Sequence, residues 1–259
     1  MISAIDDLHR QIQLTNPAHR IVSLVPSITK TLIDLGLQDR LVGVTKFCDD
    51  PIEITKQIQK IGGTKNPNIE FIYSLQPDLI LANKEENREE DILYLQQFFQ
   101  VYISDTKTID DALRTISHLG ILTSIDTKFL IEKIIEEQST LLDLKTFCQS
   151  KKVAYLIWKN PYMVAASNTF IHHMLETLGF QNVFQQSSRY PIVELNELLA
   201  LDIDFIFLSS EPYPFKPLEI EIFKPNRALL VDGKAFSWYG SQLLESFSYF
   251  HALIQELKK

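Results

Sequence analysis

Residues 126–148 contain neither glycine nor proline, and set Leu130, Ile134, Ile135, Leu141, Leu142 and Leu144 among charged side chains. Such a stretch is read as one long amphipathic helix. At 1.5 Å per residue it would span roughly 30 Å, about the width of a small domain. The segments on either side of it show the same alternation of short apolar runs and helical patterns, so the chain reads as two lobes joined by that helix.

In the first half, Arg20-Ile21-Val22-Ser23-Leu24-Val25 is a β-branched apolar run ending at Pro26-Ser27, and residues 28–35 follow with helical spacing. Ser27 is the expected N-cap and Gly36 the expected C-terminal stop, before a strand at 41–44. A helix at 69–75, a Pro77-Asp78 turn and a buried strand at 79–82 repeat the order, then a strand at 101–103 and a helix at 109–119. The second half restarts with a strand at 153–158 and a helix at 169–178 closed by Gly179. A helix at 193–201, strands at 205–208 and 228–231, and a closing helix at 241–257 follow. The expected fold class is therefore α/β, two lobes with mainly parallel sheets joined by one long backbone helix, divided as residues 1–122, 123–149 and 150–259.

With 33 acidic and 25 basic residues, the net charge of −8 lacks the basic excess needed to neutralise nucleic-acid phosphates. No apolar run approaches the roughly 20 residues of a membrane span. Asp6 and Asp7 interrupt the opening segment where a secretory leader would be apolar. Localisation turns on the start site: cytoplasmic if Met1 is the native start, periplasmic or on the extracellular face if a leader was trimmed. Cys48 and Cys148 form no Cys-x-x-Cys pair. Nucleophile–base pairs, glycine-rich phosphate loops and the G-x-S-x-G elbow are absent, so the chain is read as not an enzyme. His172 and Glu176 could share a helix face, but the neighbouring His172 and His173 point about 100° apart and cannot easily bind one ion. No protein metal site is expected.

Several segments occur in an order that resembles the helical-backbone metal-receptor superfamily, the cobalamin- and iron-siderophore-binding proteins of bacterial ABC importers. They are Asp6-Asp7-Leu8 with 20–27, Leu41-Val42-Gly43-Val44-Thr45, Ile61-Gly62-Gly63-Thr64-Lys65-Asn66-Pro67-Asn68-Ile69-Glu70 and Leu75-Gln76-Pro77-Asp78-Leu79-Ile80-Leu81-Ala82. The resemblance implies a class III periplasmic-binding-protein-like fold and a metal chelate, a cobalamin-like corrinoid or siderophore, held between the lobes. It implies no intrinsic cofactor: any cobalt or iron arrives inside the ligand. It also implies a partner, an ABC permease docked by one surface glutamate per lobe. Glu70 matches the first, while the second falls on Asn196 with Glu197 next to it.

Open parallel sheets hold ligands beyond the carboxyl ends of their strands. That rule selects Pro26, Ser27, Phe47, Lys84, Glu85 and Asn87 in the first lobe, and Trp158, Tyr162, Tyr213, Trp238 and Tyr239 in the second. Lys84 and Asn87 suit carboxylate or phosphate groups of a ligand, Glu85 suits its amines or hydroxyls, and the aromatic residues suit a flat face. Trp238 carries two readings, a ligand platform or an anchor for the last helix. With no heptad seam left over, the chain is expected to be a monomer. A cytosolic sensor or carrier on the same fold is the alternative function.

Overall fold

A computed structural model describes residues 1–259. The chain divides into two units, Met1–Lys133 with Tyr239–Gln242, and Ile134–Trp238 with Leu243–Lys259.

Unit 1 opens with an antiparallel hairpin, β1 (Ile2–Ile5) and β2 (Gln11–Leu14). Its turn is tied by the Asp6 carboxylate, which accepts from the backbone N–H groups of Leu8 and Arg10 and pairs with the Arg10 guanidinium. There follow β3 (Ile21–Ser23), α1 (Pro26–Asp34), β4 (Leu41–Val44), α2 (Ile52–Thr55), α3 (Ile69–Ser74), β5 (Leu79–Asn83), α4 (Glu89–Leu95), β6 (Val101–Ser104) and α5 (Ile109–Thr123). The strands form one parallel sheet in the order β4-β3-β5-β6. Every residue of β3, β5 and β6 is buried. Such unbroken burial is what a parallel sheet covered on both faces requires.

Local capping fixes most boundaries. Asn68 accepts from the Phe71 N–H at the start of α3, and Thr108 with Asp111 forms a capping box at the start of α5. Gly36, at φ +77°, ends α1: its N–H reaches the Ile33 carbonyl and the Leu37 N–H reaches that of Leu32, a Schellman closure. Ser27 is not the N-cap. Pro26 takes the first helical position, where its fixed φ suits the helix and its missing N–H costs nothing, so the cap moves back to Val25 and Ser27 is buried in the first turn.

The long helix expected at 126–148 runs from Lys128 to Cys148 with one turn residue, Leu141, between α6 (Lys128–Thr140) and α7 (Leu142–Cys148). The break has a local cause. The hydroxyls of Ser139 and Thr140 donate to the carbonyls of Glu136 and Glu137, and the Leu141 N–H turns three residues back to Gln138. These bonds tighten the turn and interrupt the i−4 ladder without any glycine or proline. The division between the units falls inside α6, after Lys133.

Unit 2 continues with β7 (Lys152–Trp158), β8 (Tyr162–Val164), α8 (Phe170–Leu178), β9 (Gln181–Asn182), β10 (Ile192–Val193), α9 (Leu195–Ala200), β11 (Phe205–Ser209), β12 (Ala228–Val231), α10 (Gly233–Ser237) and α11 (Gln242–Leu257), whose first residue belongs to unit 1. Its sheet runs β10-β8-β7-β11-β12, with β9 also on β7. The β7, β9, β11 and β12 pairings are parallel, and β8 is antiparallel to both β7 and β10. The helix expected at 193–201 starts later because β-branched Ile192 and Val193 pair with Met163 and Tyr162. Both units are thus α/β, as the alternation requires.

Candidate ligand-binding site

In unit 1 the chain runs from β3 outward to β4 on one side and returns to β5 on the other, so the loops leaving β3 and β5 diverge at the carboxyl ends of neighbouring strands. Open α/β sheets as a class take their ligands at such a switch point. The loop after β5 is built by two asparagines. Asn87 accepts from the Asn83 N–H at 2.8 Å and donates to the carbonyls of Leu24 at 3.3 Å and Thr64 at 3.0 Å. Asn83 accepts from the N–H groups of Glu85 and Glu86 and donates to the Ser104 hydroxyl and the Tyr239 phenol, each at 3.1 Å. The Asn87 amide is buried and spoken for, so it ties three loops together.

Tyr239 is likewise internal to unit 1. Its phenol meets Asn83 and, at 3.0 Å, Ser104, and burial pushes its pKa far above the ordinary tyrosine value. Pro26 and Ser27 are buried beside it at the head of α1. Phe47, by contrast, is 51% exposed, with the Lys46 ammonium 5.0 Å from its ring centroid. Lys84 is exposed and pairs with Asp105 at 2.9 Å, and Lys65 donates to the Glu85 carbonyl. Burial pulls the Asp105 carboxyl upward, but hydrogen bonds from Lys84 and Lys107 outweigh it and hold the group below the usual carboxylate range. The strand-end loops of unit 1 thus carry Lys46, Lys65 and Lys84 alongside Glu85, Glu86 and Asp105, with one open aromatic ring at Phe47.

In unit 2 the strand ends carry aromatic residues. Trp158, the last residue of β7, is 39% exposed and meets Tyr213 edge-on at 5.9 Å between centroids. Tyr213 donates to Glu219 at 3.1 Å, and Lys159 holds the same carboxylate at 2.5 Å. Tyr162 packs on Phe223 at 5.8 Å. Trp238 is only 8% exposed: its indole N–H donates to Glu211 at 2.8 Å, and the Lys234 ammonium lies 4.5 Å from its ring.

Burial raises the Glu211 carboxyl above its ordinary value, more than the bonds from Ser237 and Trp238 lower it. A raised folded-state value means the folded protein holds this proton more tightly. Its contribution to stability is therefore full below the ordinary glutamate value and is lost as pH rises through the raised folded value. Glu211→Gln is expected to flatten that part of the stability profile, which thermal melts from pH 4 to 8 would show; an unchanged profile would remove Glu211 as its source.

Glu70 and Glu197 are both exposed in the first turns of α3 and α9, and Asn196 is exposed beside the latter. No group of three or more His, Cys, Asp or Glu side chains is placed to hold a metal ion. His172 instead pairs with Asn182 and, at 3.3 Å, with Glu176. Ser104 and Asp105 escaped the sequence reading, because their partners lie 21 or more residues away: Asn83 and Tyr239 for Ser104, Lys84 for Asp105.

Residues 21–229 match the family described as periplasmic binding protein. A vitamin B12-binding protein of Vibrio vulnificus is 29% identical over 198 residues, which cover 74% of this chain and 72% of the relative. The crystal structure of the periplasmic vitamin B12-binding protein of Vibrio cholerae is similar with a TM-score of 0.76 and 21% identity, over 94% of this chain and 99% of that one. A periplasmic heme-binding protein from Roseiflexus sp. RS-1 gives a TM-score of 0.79 at 18% identity, over 93% of this chain and 100% of its own. The two structural likenesses speak to the fold. The family match runs from the first residue of β3 into β12, and this chain belongs to the periplasmic binding protein family.

Proposed function

We propose that this chain is the solute-binding protein of an ABC importer and that its solute is a metal chelate with a flat or macrocyclic face, a cobalamin-like corrinoid or a siderophore. The observation that carries the reading is the open Trp158 beside Tyr213 at the strand ends of unit 2. An indole face at a strand end is a stacking platform, and the lysines at the strand ends of unit 1 suit the carboxylate or amide periphery of such ligands. The relatives named for vitamin B12 and heme support the same ligand class. The metal, cobalt or iron, is cargo carried within the ligand.

Of the residues selected from the sequence, Phe47, Lys84, Glu85, Trp158, Tyr162 and Tyr213 would touch ligand, while Pro26, Ser27, Asn87, Trp238 and Tyr239 would set the shape of the loops. Glu70 and Glu197 would dock on cationic residues of the permease, on the outer side of the cytoplasmic membrane. Asn196, at the expected second docking position, is what favours the other reading, a carrier that works without a permease.

Titration with cyanocobalamin, haemin and a ferric siderophore, followed by intrinsic tryptophan fluorescence and calorimetry, tests the ligand class. One of the three is expected to bind and quench; failure of all three sinks the proposal. With that ligand, Trp158→Ala should weaken binding by ~1–3 kcal/mol, a loss of roughly 5- to 150-fold, with little change in melting temperature. Unchanged affinity would take Trp158 out of the site.

A further inference from the structure

Glu70 and Tyr73 stand three residues apart on α3, so both side chains leave the helix on one side. The Tyr73 ring meets those of Phe98 and Phe99, with centroids 5.4 and 5.7 Å away, and Phe98 lies 5.4 Å from Tyr94. Phe99 is partly buried and packs against the core of unit 1, which fixes the cluster in place. Its outer members remain open: Tyr73 is 48% exposed, Tyr94 50%, Phe98 49% and the neighbouring Leu93 55%. Single apolar residues are ordinary on a protein surface, but a joined aromatic cluster half open to water marks a surface that another molecule covers.

Charge selects the molecule. Glu70 and Glu89 are exposed on the helices that carry the cluster, and the Arg88 guanidinium is taken up by Asp91 and Glu90 at 2.9 and 3.1 Å. An anionic lipid surface would be repelled by these carboxylates. A second copy of a chain with net charge −8 would bring like charges together. A protein face with apolar side chains at its centre and Arg or Lys at its rim fits both features.

We propose that Tyr73, Leu93, Tyr94 and Phe98 are the apolar centre of a docking surface whose acidic rim includes Glu70, and that its occupant is the ABC permease. The proposal rests on the docking reading of Glu70 given above. It assigns the binding energy to the aromatic centre, where tyrosine and phenylalanine bury large areas at low entropic cost, and the partner's orientation to the glutamate.

The test uses p-benzoylphenylalanine, a photo-crosslinking residue, in place of Tyr94 and separately in place of Glu70, in cells of the bacterium that encodes the protein. Both positions are expected to trap an ABC permease subunit, identified by mass spectrometry. Trapping from position 70 alone overturns the aromatic surface and leaves the docking reading standing. Trapping from neither overturns both, and position 94 trapping only lipid or a second copy of this chain overturns the choice of occupant. In vesicles enriched in the trapped permease, combined Tyr73→Ser, Tyr94→Ser and Phe98→Ser should weaken association by about 10-fold or more, with melting temperature and cyanocobalamin titration unchanged. If that variant does not fold, Tyr94→Ser alone, at a half-open position, should weaken association by about 3-fold or more. Undiminished association of the folded variant overturns the proposal.

Discussion

Replacing Gly240 by alanine is expected to cost about 3 kcal/mol or more, a fall in melting temperature of roughly 6–12 °C. Gly240 has φ +83°, where an L side chain is strained, and an added Cβ would lie 2.0 Å from the Thr31 hydroxyl oxygen and 3.2 Å from its Cβ. Thr31 cannot step aside cheaply. It is buried in the middle of α1, its hydroxyl donates to the Ser27 carbonyl at 2.9 Å, and it accepts from the Ser241 N–H at 3.1 Å. The close approach seats residues 239–242 on unit 1 and so holds the Tyr239 phenol between Asn83 and Ser104. Thermal or urea melts of Gly240→Ala in the parent and in a Thr31→Ala background separate the two causes. With the threonine hydroxyl gone, the loss should shrink towards the ~1 kcal/mol of backbone strain. An equal loss in both backgrounds would show that contact with Thr31 is not the reason for glycine here.

Trp238→Ala is expected to lower stability by ~3–5 kcal/mol, the range for deleting a buried aromatic side chain. The indole is nearly enclosed, its N–H satisfies a partly buried carboxyl, and its face receives the Lys234 ammonium. Removing it would leave Glu211 with the Ser237 hydroxyl, at 3.1 Å, as a partner in a site already hostile to charge. Trp238→Phe keeps much of the volume and drops the donor, so it should cost about 1–2 kcal/mol and isolate the hydrogen bond. Melts of both variants, run beside cyanocobalamin titrations, check the assignment. A parental melting temperature with weakened binding would make Trp238 a ligand platform instead of an anchor, the behaviour expected of Trp158.

These two residues show where reading the sequence reaches its limit. The Phe236-Ser237-Trp238-Tyr239-Gly240 segment is aromatic and lies beyond a strand end, which suits a ligand wall and an anchor equally. Nothing local distinguishes them, because the deciding partners lie elsewhere in the chain. Glu211 is 27 residues from Trp238, Asn83 is 156 from Tyr239 and Thr31 is 210 from Ser241. Asn87 is similar: the carbonyl of Leu24 that takes up its amide is 63 residues away. Trp158 and Phe47, by contrast, are open to solvent.

By itself the sequence determined the alternation of strands and helices, most of their limits, and the α/β class of both units. Those features rest on neighbours within about four residues: the Asn68, Thr108 and Thr169 caps, the stops at Gly36 and Gly179, and the apolar runs of β3, β5, β7 and β11. The break at Leu141 is also local, but it comes from serine and threonine hydroxyls turning back on the helix, a subtler signal than the missing glycine and proline that suggested a continuous rod. Only the tertiary structure decided which strand-end residues face outward and which bind the loops together. It also decided that residues 239–242 belong with unit 1, and that Tyr73, Tyr94 and Phe98 gather on one surface. Each depends on contacts between segments far apart in the chain, and a buried polar group is committed by whichever distant partner replaces its water.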